Sequence, residues 1–287
     1  MNGAQVDFIY NAAGRLSQVA RSVPACNTQP ITTSYTYDNA GRLVDIRHAQ
    51  ADRIIADFQY SFDAANRIIQ YTGPEGTLHY TYDNLGQLIA VSGARQETYR
   101  YDANGNRIYA ASPALPNGEA DYTIGPENRL LSDGTYRYEY DAEGNLIRKT
   151  RLSDGQVTEL TYDYRNRVTD IVVKDAQGNV VYRTHYIYDV FDRRIASEVD
   201  ADGDGPGSLV RTWTFYDGAN PYIDLDDQGN VQHYYLYGPD IDQVLARLDP
   251  VTGIPDWYLT DYIGSVREIL RDAGVYRKCG STMTSLH

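Results

Sequence analysis

The sequence predicts an all-β chain, built as a repeat array of antiparallel β-hairpins. Three observations carry this: a motif that returns along most of the chain, aromatic residues on alternate positions before it, and no ten-residue stretch with helical periodicity. The motif is clearest as Tyr37-Asp38-Asn39-Ala40-Gly41-Arg42-Leu43. It returns as Tyr82-Asp83-Asn84-Leu85-Gly86-Gln87-Leu88, Tyr101-Asp102-Ala103-Asn104-Gly105-Asn106-Arg107 and Tyr140-Asp141-Ala142-Glu143-Gly144-Asn145-Leu146. Weaker copies begin at Tyr10, Phe62, Tyr162 and Tyr188, and Glu127-Asn128-Arg129-Leu130 reads as the back half of another. Apart from one step of 39 residues that contains the half-copy, first positions lie 19 to 27 apart. Such an irregular period is what hairpin units give when their loops differ in length.

Each element of the motif has a stereochemical reason. The fifth position reads Gly14, Gly41, Asn66, Gly86, Gly105, Asn128, Gly144, Asn166 and Asp192. Gly, Asn and Asp are the residues that most readily adopt left-handed backbone. Three positions earlier stands Asp in seven of nine copies, with Asn11 and Gly125 in the others. An Asp opening a type I turn accepts a hydrogen bond from the backbone two residues on. A left-handed residue then closes the turn as a bulge and starts the return strand. The predicted turn residues are therefore Asp38 with Gly41, Asp63 with Asn66, Asp83 with Gly86, Asp102 with Gly105, Asp141 with Gly144, and Asp163 with Asn166.

The flanks read as strands. Tyr35/Tyr37, Tyr80/Tyr82, Tyr99/Tyr101, Tyr136/Tyr138/Tyr140 and Tyr186/Tyr188 alternate, which places each set on one strand face. After the left-handed residue comes Arg15, Arg42, Arg67, Arg129, Arg167 or Arg193, otherwise Gln87, Asn106 or Asn145. These arginines read as strand-exposed, each pairing with a neighbouring turn Asp, with a ligand-facing ladder as the alternative. Asp133-Gly134, Asp154-Gly155 and Gly178-Asn179 supply opposite hairpin ends. Residues 110–128, with Pro113, Pro116, Asn117-Gly118 and Pro126, read as a loop insertion within one repeat.

Composition narrows the function. There are 27 Tyr against 5 Phe and 2 Trp in 287 residues. Each buried phenol needs a partner for its hydroxyl, so Tyr-rich strands suit sheets whose faces stay partly wet. A net charge of −13 argues against a nucleic-acid partner. No apolar run is long enough to span a membrane, and the first residues lack signal-peptide features. Cys26 and Cys279 are too few and too distant for a disulfide scaffold.

The Tyr-Asp-x-x-Gly-x-Leu unit resembles the YD repeat of bacterial RHS proteins, shared with ABC-toxin subunits and animal teneurins. A second block strengthens the resemblance: Tyr234-Tyr235-Leu236-Tyr237-Gly238-Pro239-Asp240-Ile241-Asp242-Gln243-Val244-Leu245-Ala246, then Leu259-Thr260-Asp261-Tyr262-Ile263-Gly264-Ser265-Val266-Arg267. It is similar to the segment leading into the RHS core. The resemblance implies hairpin strips in a curved, spiralling sheet, part of a hollow shell around a toxic C-terminal polypeptide. It divides the chain into a YD array (1–197), a core-leading segment (198–277) and an atypical tail (278–287) expected to be disordered. A shell cut to this length is expected to be an open, curved strip with a wet inner wall, and the abrupt change after Gly274 reads as a truncation or a shifted reading frame. Asp249-Pro250 is like the family's self-cleavage Asp-Pro but stands upstream of Gly264-Ser265-Val266, where the family's motif stands downstream. That activity is not carried over.

Asp200, Asp202 and Asp204 followed by Gly205 match the opening of a calcium loop, yet Arg211 stands where such a loop needs Glu. An acidic hairpin tip is the plainer reading, with weak Ca2+ binding kept open and no other cofactor expected. Nucleophile-elbow, zinc-protease and phosphate-loop motifs are absent from the sequence. The expectation is a non-catalytic structural segment whose partners are the rest of its shell and the enclosed toxin. The alternative is a carbohydrate or cell-surface binding module, using Tyr80, Tyr82, Tyr99, Tyr101, Tyr136, Tyr138 and Tyr140 to stack on glycans. By resemblance the protein is exported or displayed at a bacterial surface.

Overall fold

The computed structural model describes residues 4–24, 29–207, 209–240, 242–271 and 275–277. The expected tail at 278–287, both cysteines and Ile241 lie outside the described residues. Strands form where the alternation predicts them. In Arg53–Phe62, for example, Ala56, Phe58 and Tyr60 are buried on alternate positions, while Gln59 and Ser61 between and beyond them are exposed. Strands hydrogen-bond to their sequence neighbours without crossovers. One sheet takes the eleven strands from Gln5–Tyr10 to Glu119–Asp121, and the other the fifteen from Thr123–Ile124 to Val275–Arg277. No α-helix occurs among the described residues.

The stretch 110–128 is more than a loop insertion. Glu119–Asp121 returns to pair with Arg107–Ala111, and Thr123–Ile124 pairs with Leu130–Ser132. One sheet ends and the next begins between these two short strands. The dense turn residues around them hide strand runs of only three and two residues.

The chain clusters into two compact units that cut across the sequence ranges. One comprises Met1–His79, Tyr216–Ile223 and Val231–His287, the other Tyr80–Phe215 and Asp224–Asn230. Among the described residues they are built differently. In the first unit Ile31, Ala246, Trp257, Leu259 and Leu270 form a dry cluster, and Val19, Ile46 and Phe58 are also buried. The wet wall expected from the tyrosine content is absent there. The fully buried positions of Ile31–Tyr37 and Pro255–Thr260 include Ile31, Trp257 and Leu259, and Tyr60 and Tyr71 are buried as well, so burying these side chains removes apolar surface from water. In the second unit only Val91, Ala110 and Ala196 are buried hydrophobics.

A polar relay runs through the first unit's interior. Arg21 Nη1 donates to Thr33 Oγ1 at 2.7 Å, Thr33 Oγ1 lies 2.8 Å from His48 Nδ1, and His48 Nε2 lies 3.0 Å from the Thr260 carbonyl. A carbonyl only accepts, so Nε2 carries the ring proton and Nδ1 accepts from the Thr33 hydroxyl. Burial, reinforced by the Arg21 charge, pushes His48 down to about 4.

That pKa lies below the unfolded value of 6.5, so the neutral His48 stabilises the fold above pH 6.5 and this stability is lost as pH falls towards 4. The expected loss is about 3 kcal/mol at most. Asp45, pushed up to about 6 by burial and by Asp57, works in the opposite direction over the same range. The readout is therefore the difference between wild type and His48→Gln, which keeps an N–H for Thr260 and does not titrate. Urea unfolding between pH 4 and 7 should show a shallower acid loss in the variant; identical profiles would exclude His48.

Candidate functional site: the row of hairpin tips

The residues that the repeats single out meet at the hairpin tips. Gly14, Gly41, Gly86, Gly105 and Gly144 have φ between 73 and 92°, and Asn66, Asn128, Asn166 and Asp192 between 58 and 66°. At the Asp163 tip the Asn166 N–H donates to the Asp163 carbonyl at 3.0 Å, and the Asp163 N–H donates to the Arg167 carbonyl at 3.0 Å. The carboxylate then clamps the loop. Its Oδ1 accepts the N–H groups of Arg165 and Arg167 at 2.8 and 3.1 Å, and its Oδ2 accepts Arg167 Nε at 2.8 Å. Asp38 and Asp63 hold Arg42 and Arg67 in the same way; Asp102 and Asp141 hold the amides of Asn106 and Asn145. At Asp83 the carboxylate takes the N–H groups of Leu85 and Gln87.

These bonds need the charged carboxylate. The carboxyls of Asp38 and Asp63 are held below the usual range chiefly by the backbone N–H groups of Arg42 and Arg67. Those of Asp102, Asp141 and Asp163 are held down chiefly by the side chains of Asn106, Asn145 and Arg167. Arg42, Arg67, Arg167 and Arg193 thus pair first with the Asp of their own tip, whereas Arg129, whose tip opens with Gly125, pairs with Glu127.

The motif tyrosine ties one hairpin to the one before it. The Tyr37 hydroxyl donates to the Leu16 carbonyl, Tyr101 to Leu88, Tyr140 to Leu130, Tyr162 to Leu146 and Tyr188 to Val168, each at 2.8 Å. In each case the acceptor lies two residues after the preceding left-handed position, where the return strand starts. Guanidinium groups lie over the next aromatic ring: Arg15 over Tyr37, Arg42 over Phe62, Arg129 over Tyr140 and Arg167 over Tyr188, 4.7 to 5.9 Å from the centroids.

The same clamp forms at Asp175, Asp226 and Asp261, which fall outside the motif as the sequence defines it. No Tyr precedes these aspartates; the signal was the bare Asp-x-x-Gly spacing, with Gly178, Gly229 and Gly264 at φ 82 to 89°. In the core-leading block, Arg267 pairs with Asp261 at 3.1 Å and with Glu75, which also accepts the Tyr71 hydroxyl at 2.8 Å. Burial pushes the Asp261 carboxyl up.

The tyrosines expected to form a ligand face are half-buried, with exposed Thr81, Arg100, Arg137 and Glu139 between them. Tyr101 and Tyr140 have given their hydroxyls to carbonyls, Tyr99 bonds Glu97, and Tyr138 bonds Asp133 at 2.7 Å. Burial and Glu97 push Tyr99 up to about 12. Tyr80 and Tyr82 are half-buried on their strand, and Tyr136 lies 6.3 Å from Tyr138 with Lys149 over its ring. Tyr138 and Tyr140 also line an open depression of about 330 Å3 beside Arg129 and Leu131.

The three carboxylates of the acidic loop point to separate partners. Asp200 accepts the Gly203 N–H, Asp202 the Gly207 N–H, and Asp204 the Val180 N–H and Arg183. Among the described residues no three His, Cys, Asp or Glu side chains are grouped to hold a metal ion.

Residues 65–204 match the teneurin YD-shell family. Among curated proteins, double-stranded DNA deaminase toxin A of Burkholderia cenocepacia is 29% identical over 260 residues, covering 84% of this chain and 16% of the toxin. Toxin protein Tse5 of Pseudomonas aeruginosa is 30% identical over 194 residues, covering 59% of this chain and 13% of Tse5. The chain thus spans a small part of the length of these relatives. Among solved structures, the crystal structure of TcdB2-TccC3-TEV has a TM-score of 0.68 at 18% identity, over 94% of this chain and 15% of that one. The Tc holotoxin pore of Photorhabdus luminescens gives 0.67 at 18% identity, over 96% and 16%. At this identity the likeness is one of fold.

Two outcomes follow from the tip geometry. Tyr140→Phe keeps the ring and leaves the Leu130 carbonyl without its phenol, so urea unfolding should show a loss of about 1–2 kcal/mol; no loss would mean that the ring alone matters. Because the Asp200, Asp202 and Asp204 carboxylates are each engaged elsewhere, millimolar Ca2+ should leave the melting temperature unchanged. A rise that Asp202→Ala abolishes would restore the cation site.

Proposed function

We propose, for a chain that belongs to the RHS/YD-repeat family, that its hairpins are a wall segment of a shell that encloses and helps deliver a C-terminal toxin polypeptide. The observation that carries this reading is the engagement of the repeat's polar groups with one another. Arg42, Arg67, Arg167 and Arg193 bond the Asp of their own tip, Arg42 and Arg167 also reach the next tip, and Tyr37, Tyr101, Tyr140, Tyr162 and Tyr188 bond the hairpin before. Groups so engaged build a wall, and the wall segment itself is non-catalytic. Its partners are the remaining strands of the same shell and the polypeptide inside. The named relatives are toxins, which supports a place in an exported toxin assembly.

A glycan-binding role has one observation in its favour, the depression beside Tyr138 and Tyr140. The half-burial of those rings and their engaged hydroxyls count against a stacking platform.

Limited proteolysis of this chain produced together with a C-terminal toxin polypeptide in one protein tests the proposal. The toxin polypeptide should resist cleavage in the wild type and become sensitive when the clamps are removed by Asp141→Ala with Asp163→Ala. A toxin segment cleaved equally fast in both proteins would overturn enclosure. Specific retention of the isolated chain on a glycan array, lost with Tyr138→Ala, would move the assignment to the binding module.

A further inference from the structure

The tips contact one another through a matched pair of positions. The donor is the residue that follows the left-handed position of one tip. The acceptor belongs to the next tip and is either the carbonyl of its first turn residue or the side chain of its left-handed residue. Long donors use the carbonyl: Arg42 reaches the Asp63 carbonyl at 3.0 Å, Arg129 that of Asp141 at 3.2 Å, and Arg167 that of Asp189 at 3.1 Å. Short donors bond to a side chain. Asn106 Nδ2 donates to Asn128 Oδ1 at 2.9 Å, and Asn145 Nδ2 donates to Asn166 Oδ1 at 3.0 Å.

The identity of the left-handed residue follows the donor before it. Where the donor is Asn, the left-handed residue is Asn: Asn106 with Asn128, Asn145 with Asn166. Where the donor is Arg or Gln, Gly is accepted. Arg15 faces Gly41, Gln87 faces Gly105 and Arg129 faces Gly144. At Gly41 a Cβ would fall 2.2 Å from an Arg15 nitrogen, so the guanidinium fills the space that an Asn side chain would need. Arg42 and Arg167 meet Asn66 and Asp192 and bond both acceptors, at 3.2 Å to Asn66 and 2.8 Å to Asp192. An Asn stem is too short to do what Arg does, so it needs an acceptor side chain to come to meet it.

We infer that each hairpin tip is a docking surface for the next, and that an Asn donor requires a left-handed Asn in its neighbour whereas an Arg donor releases that requirement. The partner is another tip of the same kind, and the two positions decide which tips can lie side by side. Left-handed Asn at these sites is then retained for its side-chain carbonyl, against the easier backbone of Gly.

A double-mutant cycle in the full chain tests this. Asn166→Gly should lower the melting temperature by about 2–4 °C, because Asn145 loses its acceptor. In the background Asn145→Arg, whose guanidinium can bond Asp141 and reach the Asp163 carbonyl, Asn166→Gly should leave the melting temperature unchanged or raise it. Equal shifts in the two backgrounds would overturn the pairing, as would a stabilising Asn166→Gly in the wild-type background. If Asn145→Arg does not fold, the same cycle at Asn106 and Asn128 decides the matter by the same criteria.

Discussion

One carboxylate at most of the hairpin tips organises this chain. A tight tip with a left-handed bulge leaves inward-facing N–H groups that the strand ladder does not reach. At Asp163 a single oxygen takes two of them, from Arg165 and Arg167. The second oxygen fixes the side chain of Arg167, just before the return strand. That side chain, once held, projects along the row and meets the next tip. The aromatic beneath it is placed by the same geometry, and its hydroxyl closes back onto the preceding hairpin. Removing the carboxylate therefore leaves the backbone unsatisfied and also frees the group that joins neighbours.

The two compact units rely on this device to different degrees. The first adds a dry core around Trp257 and Ile31, together with the relay from Arg21 to the Thr260 carbonyl. Burying large apolar side chains gives it a few strong contributions. The second buries Val91, Ala110 and Ala196 and depends instead on many small ones. Partly exposed ion pairs such as Arg167 with Asp163 add little singly, and each tyrosine bond contributes on the order of 1 kcal/mol. In a repeat array such terms add between nearest neighbours, so their number compensates for their size. The excess of tyrosine over phenylalanine is suited to this: a half-buried ring gains contact, and its hydroxyl has a fixed carbonyl to bond.

Local geometry was legible in the sequence because it is repeated. Nine aligned copies show which positions tolerate only Gly, Asn or Asp, and a left-handed φ is the property those residues share. Alternating tyrosines locate the strands for the same reason. Contacts between residues far apart in the chain left no such trace. Nothing about His48 or Thr260 announces that they meet, and Ile31 with Trp257 is a pairing that periodicity does not specify. The clamps at Asp226 and Asp261 were hidden by the missing tyrosine, although their Asp-x-x-Gly spacing was intact. The short strands before and after Tyr122 were hidden by surrounding turn residues. The reach of Arg42 and Asn145 to the next tip was beyond sequence reasoning, since own-turn and next-turn acceptors look alike in one dimension.

The irregular period of the motif now has a physical cause. At the tips of the Tyr-Asp motif the chain leaves one strand and enters the next after a constant interval: Tyr10 to Leu16, Tyr37 to Leu43, Tyr82 to Leu88, Tyr140 to Leu146 and Tyr188 to Arg194. Any insertion there would carry the clamped side chain away from its neighbour. At the opposite end the connections vary, from Gln50 to Arg53 through Arg151 to Val157 to Asp200 to Val210. Loop closure entropy grows only slowly with length, so an unconstrained end can lengthen at small cost. The variation in spacing is therefore carried by the strand lengths and by the connections at the other end: Tyr37 to Phe62 and Phe62 to Tyr82 both have a two-residue connection there, and differ through strands of eight and ten residues against six and seven. The acidic loop at Asp200, Asp202 and Asp204 lies at that variable end, which is where a loop can change its length and charge without disturbing the bonds between tips.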